Sequence, residues 1–246
     1  VLLSGSLQFQ KSERPEFEGR WACSVAGTPV DACRIGFHLC GNWKPEMVLS
    51  GVNHGNNLGQ CTMYSGTIAA AADATVVYKV PSIAMSYDLR SYYEFTPEDY
   101  VGMKKVVSGV VPRLVQDAFA ANDEGKAAIP PLHVLAVNLP NVGNVKSWPI
   151  PIKLCRQSVS SLLTSYSPAP IFEDANPSHK ITLTVHPATL QPPPPPRTEE
   201  DFSFSTDIEA VQTEGCAGVC PIMAFPDISW LARHGVTAAY DSLRTW

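Results

Sequence analysis

The chain has 246 residues, 45% hydrophobic and 17% charged, a globular composition that excludes general disorder or a coiled coil and is long enough to bury a sizeable core. Eighteen Lys and Arg against 23 Asp and Glu give a net charge of −5 with no basic block, so nucleic acid polymers are not expected partners. The longest apolar runs, around Ile68 to Val77 and Val106 to Val111, fall short of the ~20 residues of a membrane-spanning helix, and no membrane association is expected.

In chain order, Val1 to Ser4 is apolar but lacks the basic flank and length of a signal peptide, and it is read as a cut end. Thr28 caps a predicted helix, Pro29 suits its first position, and Asp31 sits where the helix dipole favours an anion. Met47 to Val52, Ser82 to Ser86 and Leu132 to Val137 are apolar enough to be strands buried on both faces. Thr96-Pro97-Glu98-Asp99 opens a second helix whose apolar face is Val107, Val110, Val111, Leu114, Val115 and Phe119, with a kink expected at Pro112.

This alternation predicts an α/β fold with a doubly wound sheet, whose ligands bind beyond the carboxyl ends of the strands. From about residue 141 the texture becomes Pro- and Ser-rich with short alternating runs such as Lys180 to His186, which suggests hairpins or arms. The expected division is therefore 1–140 and 141–246. Pro192 to Pro196 form a polyproline insertion, and Val236 to Leu243 a short amphipathic helix. Seven cysteines at 23, 33, 40, 61, 155, 216 and 220 show no paired framework, which points to free thiols and a cytoplasmic setting. Cys216 and Cys220 lack zinc-ligand spacing to a second pair.

The chemistry concentrates between Met47 and Thr67. A strand ends in Ser50-Gly51-Val52-Asn53, a Gly/Asn loop follows as His54-Gly55-Asn56-Asn57-Leu58-Gly59, and Tyr64-Ser65-Gly66-Thr67 opens an Ala-rich helix. Small residues let backbone amides approach an anion, and a helix start adds free N–H groups and a positive dipole end: the pattern of a phosphate cradle. Asn53 offers a neutral oxygen of the kind Mg²⁺ accepts. Gly and Asn also build ordinary turns, and a Ser before a helix is also an ordinary cap. His54 adjoins Asn53, although a loop histidine is more often simply solvated.

These segments resemble the signature of the SurE family of survival-protein nucleotidases and acid phosphatases. The resemblance extends to Gly27-Thr28-Pro29-Val30-Asp31-Ala32, to Val80-Pro81-Ser82-Ile83-Ala84-Met85-Ser86, to Val137-Asn138-Leu139-Pro140 and to Ser205-Thr206-Asp207-Ile208-Glu209-Ala210-Val211. It implies a Rossmann-like domain, a hairpin-rich C-terminal part used in a homodimer, and Mg²⁺- or Mn²⁺-dependent hydrolysis of phosphate monoesters, chiefly nucleoside monophosphates. On it, Asn53 matches a metal ligand, and Gly55, Asn57, Ser65, Gly66 and Thr67 fall in the phosphate-binding stretch. Asp207 and Glu209 are expected to be a solvated or dimer-facing pair, Cys61 stands where an acidic residue is common, and His234 lies where the family often carries a histidine.

The family's first strand ends in Asn-Asp-Asp-Gly, and this chain contains no Asp-Asp pair. Val1 to Ser4 could be the end of that strand, or Ser4-Gly5-Ser6-Leu7 a shortened form of the loop that supplies the metal-binding Ser. The spacing from Ser6 to Gly27 favours the second, which makes Ser4 a metal candidate. The sequence reading is thus a sheet lacking its first strand and impaired hydrolysis, with a catalytically inactive nucleotide- or phosphate-binding homologue as the alternative.

Overall fold

The computed structural model describes residues 8–12, 22–89, 95–123, 129–158 and 205–224, together with four short strands between 162 and 190. The elements are β1 (Phe9–Lys11), β2 (Cys23–Val25), α1 (Pro29–Cys40), β3 (Val48–His54), a 3-10 helix (Gly59–Tyr64), α2 (Gly66–Val77), β4 (Ser82–Tyr87), α3 (Pro97–Asp123), β5 (His133–Leu139) and β6 (Ile152–Leu154). There follow β7 (Leu162–Leu163), β8 (Tyr166–Ser167), β9 (Thr184–Val185), β10 (Thr189–Leu190), a π-helical turn (Glu209–Thr213) and β11 (Ala217–Met223). Ser4, the polyproline run at 192–196, His234 and the expected helix at 236–243 lie outside the described residues.

Five strands form the central sheet in the order β3-β4-β5-β11-β6. β3, β4 and β5 are parallel and connected through α2 and α3, as the apolar runs predict. β11 then runs antiparallel to β5 and parallel to β6, so the sheet is mixed, with three strands from before residue 140 and two from after it. β7 pairs with β10 and β8 with β9, both antiparallel and nested in register, in the part expected to form hairpins.

β4 is buried along its whole length. Ile83, Met85 and Tyr87 pack with Val106 and Val110 of α3, while Ala84 faces Ile68 and Ala71 of α2. Small side chains on that second face let the Ala-rich helix lie close, and burying apolar surface on both faces is the main favourable term for the sheet. Pro112 sits inside one continuous α3, whose buried Val106 and Val110 anchor it to the sheet. α1 begins as its sequence predicts: Thr28 Oγ1 accepts the Asp31 N–H, and the Asp31 carboxylate accepts the Thr28 N–H at 2.9 Å. It packs on α2, where Arg34 pairs with Asp73 through two hydrogen bonds and Phe37 stacks on Tyr78 at 3.8 Å.

β3 ends the sheet, with no strand on its outer edge among the described residues. Beside it, α1 and β3 wall an apolar groove of about 490 Å³ lined by Pro29, Cys33, Phe37, Met47 and Leu49 among others. Leu49 is 44% exposed there. No helix among the described residues is long and apolar enough to cross a membrane.

Candidate phosphate site

The cradle segments meet at the carboxyl end of β3. Gly51, in the strand, has φ +118°, and a Cβ there would lie 2.3 Å from the Met85 carbonyl oxygen, so only glycine lets β3 approach β4 at this point. Gly55 also has positive φ, and its N–H donates to the Tyr87 carbonyl at 3.1 Å, which fixes the strand end. Asn53 Nδ2 donates to the Gly55 carbonyl at 3.0 Å, leaving Oδ1 as the atom that can accept or coordinate.

The loop beyond is held from inside the fold. Asn57 is buried; its N–H donates to Asn138 Oδ1 at 2.8 Å, its Nδ2 donates to Ser86 Oγ at 2.6 Å, and its carbonyl accepts Asn138 Nδ2 at 3.3 Å. One N–H of its side-chain amide is thus directed to the interior, and these bonds hold the loop in place. Gly59 donates its N–H to the Asp207 carboxylate at 2.8 Å and accepts Gln157 Nε2 at 2.7 Å. Asp207 also accepts the N–H groups of Ser158 at 2.9 Å and Ile208 at 3.0 Å.

Ser65 caps α2, its Oγ accepting the Ile68 N–H at 3.2 Å. Gly66 lies against the Pro29 ring, where a Cβ would come within 3.1 Å, so the starts of α1 and α2 touch. Thr67 is buried, and its carbonyl accepts Ser50 Oγ at 2.8 Å, tying the helix start to β3. With Ile68 engaged by the cap, the N–H groups of Gly66 and Thr67 are the ones α2 can turn to an anion.

Of the two acidic residues expected to be solvated or dimer-facing, Glu209 is exposed and Asp207 is not. Asp207 is 1% exposed, so it is an internal anchor for three backbone amides and not a solvated group. Burial raises its carboxyl above the usual range, opposed by the hydrogen bonds from Gly59, Ser158 and Ile208. Glu209 closes a capping box, its carboxylate accepting the Thr206 N–H at 2.8 Å while Thr206 Oγ1 accepts the Glu209 N–H at 3.2 Å. The Thr-x-x-Glu spacing carried that signal in the sequence.

Sequence reasoning did not single out Asp88, which follows β4 and is 5% exposed. Asn56 Nδ2 donates to it at 2.5 Å and Gln212 Nε2 at 3.4 Å, while Asn141 Nδ2 donates to its carbonyl at 3.1 Å. Burial raises its carboxyl, and the Asn56 and Gln212 bonds oppose the rise. Asp88 and Asp207 therefore tether the cradle loop at both ends, through Asn56 and Gly59. Cys216 and Cys220 are buried thiols whose pKa burial raises.

As a divalent-cation site, the described residues bring together one neutral oxygen, that of Asn53. Among them no group of three or more His, Cys, Asp or Glu is placed to hold a metal. Asp88 and Asp207 are turned to amide donors. An octahedral shell of oxygens is not met by this donor set alone, so the described residues do not by themselves fit Mg²⁺ or Mn²⁺.

A family model described as Survival protein SurE matches residues 2–163. The 5'-nucleotidase SurE of Actinobacillus succinogenes is 30% identical over 246 residues, covering 99% of this chain and 82% of the relative. The 5'-nucleotidase SurE of Pseudoalteromonas atlantica is 28% identical and covers 89% of this chain and 75% of the relative. Among solved structures, the SurE protein from Aquifex aeolicus superposes with a TM-score of 0.61 at 23% identity, over 95% of this chain and 80% of that one, which supports the same fold.

Proposed function

The chain belongs to the SurE family, and from that membership we propose that it acts on phosphate monoesters as a hydrolase of the 5'-nucleotidase or acid phosphatase type, with nucleoside monophosphates as substrates. The observation that carries the reading is the strand end, tethered loop and capped helix start at one place. Asn53 and Gly55 close β3, Asn56 to Gly59 are tied from the interior, and Ser65-Gly66-Thr67 open α2.

In this reading the phosphoryl oxygens meet the Gly66 and Thr67 N–H groups, which the dipole of α2 makes a favourable place for a dianion. Ser65 Oγ holds the first turn in shape, and Asn57 keeps the loop rigid so that these donors are in place before the substrate arrives. The activity proposed from the family would call on Mg²⁺ or Mn²⁺, which would supply Lewis-acid chemistry if further ligands completed a site that the described residues alone do not fit. Asn53 is the described residue offered to it, with Ser4 proposed from the sequence alone. Residues 141–246 are proposed to supply the arm of a homodimer.

A second reading, phosphate or nucleotide binding without turnover, is favoured by the lack of a carboxylate cluster among the described residues. Phosphate release from nucleoside monophosphates and from an aryl phosphate, with Mg²⁺ or Mn²⁺ added, separates the two when paired with calorimetry. Release that depends on the cation supports the hydrolase; binding with no release supports the second reading; the absence of both removes each.

A further inference from the structure

Three aromatic rings form a row at the carboxyl end of β3 that the cradle does not use. His54 stacks on Phe95 with ring centres 4.7 Å apart and planes 17° from parallel, and Phe95 meets Tyr100 edge-on at 6.4 Å. All three are exposed, Phe95 at 39% and Tyr100 at 47%. The Lys104 ammonium lies 4.7 Å over the Tyr100 ring.

We propose that this row is a subsite for the base of a nucleotide whose phosphate lies in the cradle, with the base continuing the stack that His54 and Phe95 begin. The inference rests on the phosphate reading above and extends it to the aromatic half of the substrate. His54 is the last residue of β3 and pairs with Tyr87 at the end of β4, so the row begins at the carboxyl edge of the sheet, the edge at which the cradle loop leaves β3.

Each inner ring has a hydrogen-bonded residue next to it in the chain. The Gly55 N–H bond to Tyr87 pins the residue after His54. Thr96 follows Phe95 and is locked by Asp99, whose carboxylate accepts the Thr96 N–H at 3.0 Å and its hydroxyl at 2.8 Å. Pre-organised rings lose little freedom when a base arrives, and a stack accepts any base because every base has a π-face. The Lys104 charge beside the row suits an anionic ligand. Tyr64, just before the cradle, is 80% exposed, and among the described residues no ring stacks on it.

Calorimetry of the whole chain with AMP and with inorganic phosphate tests this, for the wild type and for Phe95→Ala, Phe95→Tyr and Tyr64→Ala. The wild type is expected to bind AMP more tightly than phosphate. Phe95→Ala should weaken AMP by about 10-fold or more while leaving phosphate unchanged, and Phe95→Tyr should restore AMP binding. Equal loss for both ligands, no loss for AMP, or a selective loss in Tyr64→Ala instead would overturn the proposal. If the wild type binds phosphate and AMP equally, the base subsite fails while the cradle stands; if it binds neither, both fail.

Discussion

The Asp207 carboxylate accepts the Gly59 N–H at 2.8 Å across 148 residues of chain. The contact joins the loop after β3 to the turn before β11, so the cradle is shaped by a segment remote in sequence. Because the same carboxylate also takes the Ser158 and Ile208 amides, its loss strands three buried donors at once.

Asp207→Ala is therefore expected to lower stability by roughly 3 kcal/mol or more, each unpaired buried donor costing about 1–3 kcal/mol. Asp207→Asn keeps an acceptor oxygen and should lose less. Urea unfolding midpoints of the two variants check the order; equal values would show that the carboxylate does not organise these amides.

Gly51→Ala would place a methyl at 2.3 Å from the Met85 carbonyl in a backbone conformation that L-residues avoid. The combined clash and strain should cost about 2–6 kcal/mol. Thermal denaturation reads it, and a fall of less than a degree would mean that β3 can move away from β4.

Ser65→Asp separates capping from anion binding, because Asp caps as well as Ser yet carries a negative charge. The melting temperature should stay close to that of the wild type while inorganic phosphate binding weakens by about 10-fold or more. Undiminished phosphate affinity in a folded Ser65→Asp variant would place the anion elsewhere.

Burial raises the carboxyl pKa of both Asp88 and Asp207 above 3.8. Each then contributes stability that is fully present below 3.8 and is lost as pH rises through the raised folded value. Glu214 acts oppositely: its hydrogen bond from Lys153 lowers its pKa, so its contribution is present above 4.5 and is lost as pH falls through its folded value. The melting temperature of the wild type should thus rise relative to that of Asp88→Asn as pH falls from neutral toward 3.8. A difference between the two that stays constant over this range would remove Asp88 from the account.

The groove beside β3 should bind an apolar-surface dye in the folded chain, given its Phe37, Met47 and Leu49 lining. Leu49→Lys places a charge on its open side and should cut the fluorescence by about half or more. Fluorescence equal to the buffer blank in the wild type would show the groove to be covered.

The parallel half of the sheet was legible because β3, β4 and β5 are apolar runs bounded by clear helix starts, and Thr28 with Asp31 announces α1 from four adjacent residues. β11 was not, because Gly218 and Pro221 read as breakers. The structure accommodates Pro221 because β6 pairs only with Ala217 to Val219, so that proline lies where β11 has a single neighbouring strand. In the site, the Gly/Asn loop and the Ser65 cap are local patterns and stood out. The anchoring role of Asp207, which was expected to be solvated or dimer-facing, and Asp88 altogether did not, since their donors come from Gly59, Ser158, Asn56 and Gln212, and only folding brings these together.

The seven cysteines are free and fall into two tiers. Cys220 lies in β11 opposite Ala136, 2% exposed, with a thiol that burial keeps protonated, while Cys155 is pushed up to about 11. Cys23, Cys40 and Cys61 are only partly covered. Alkylating reagents need both access and a thiolate, so the outer tier takes label from the native state and Cys220 waits for the sheet to part. The chain thereby carries its own clock for opening: the ratio of slow to fast labelling, followed residue by residue, measures how often the core strands separate under native conditions.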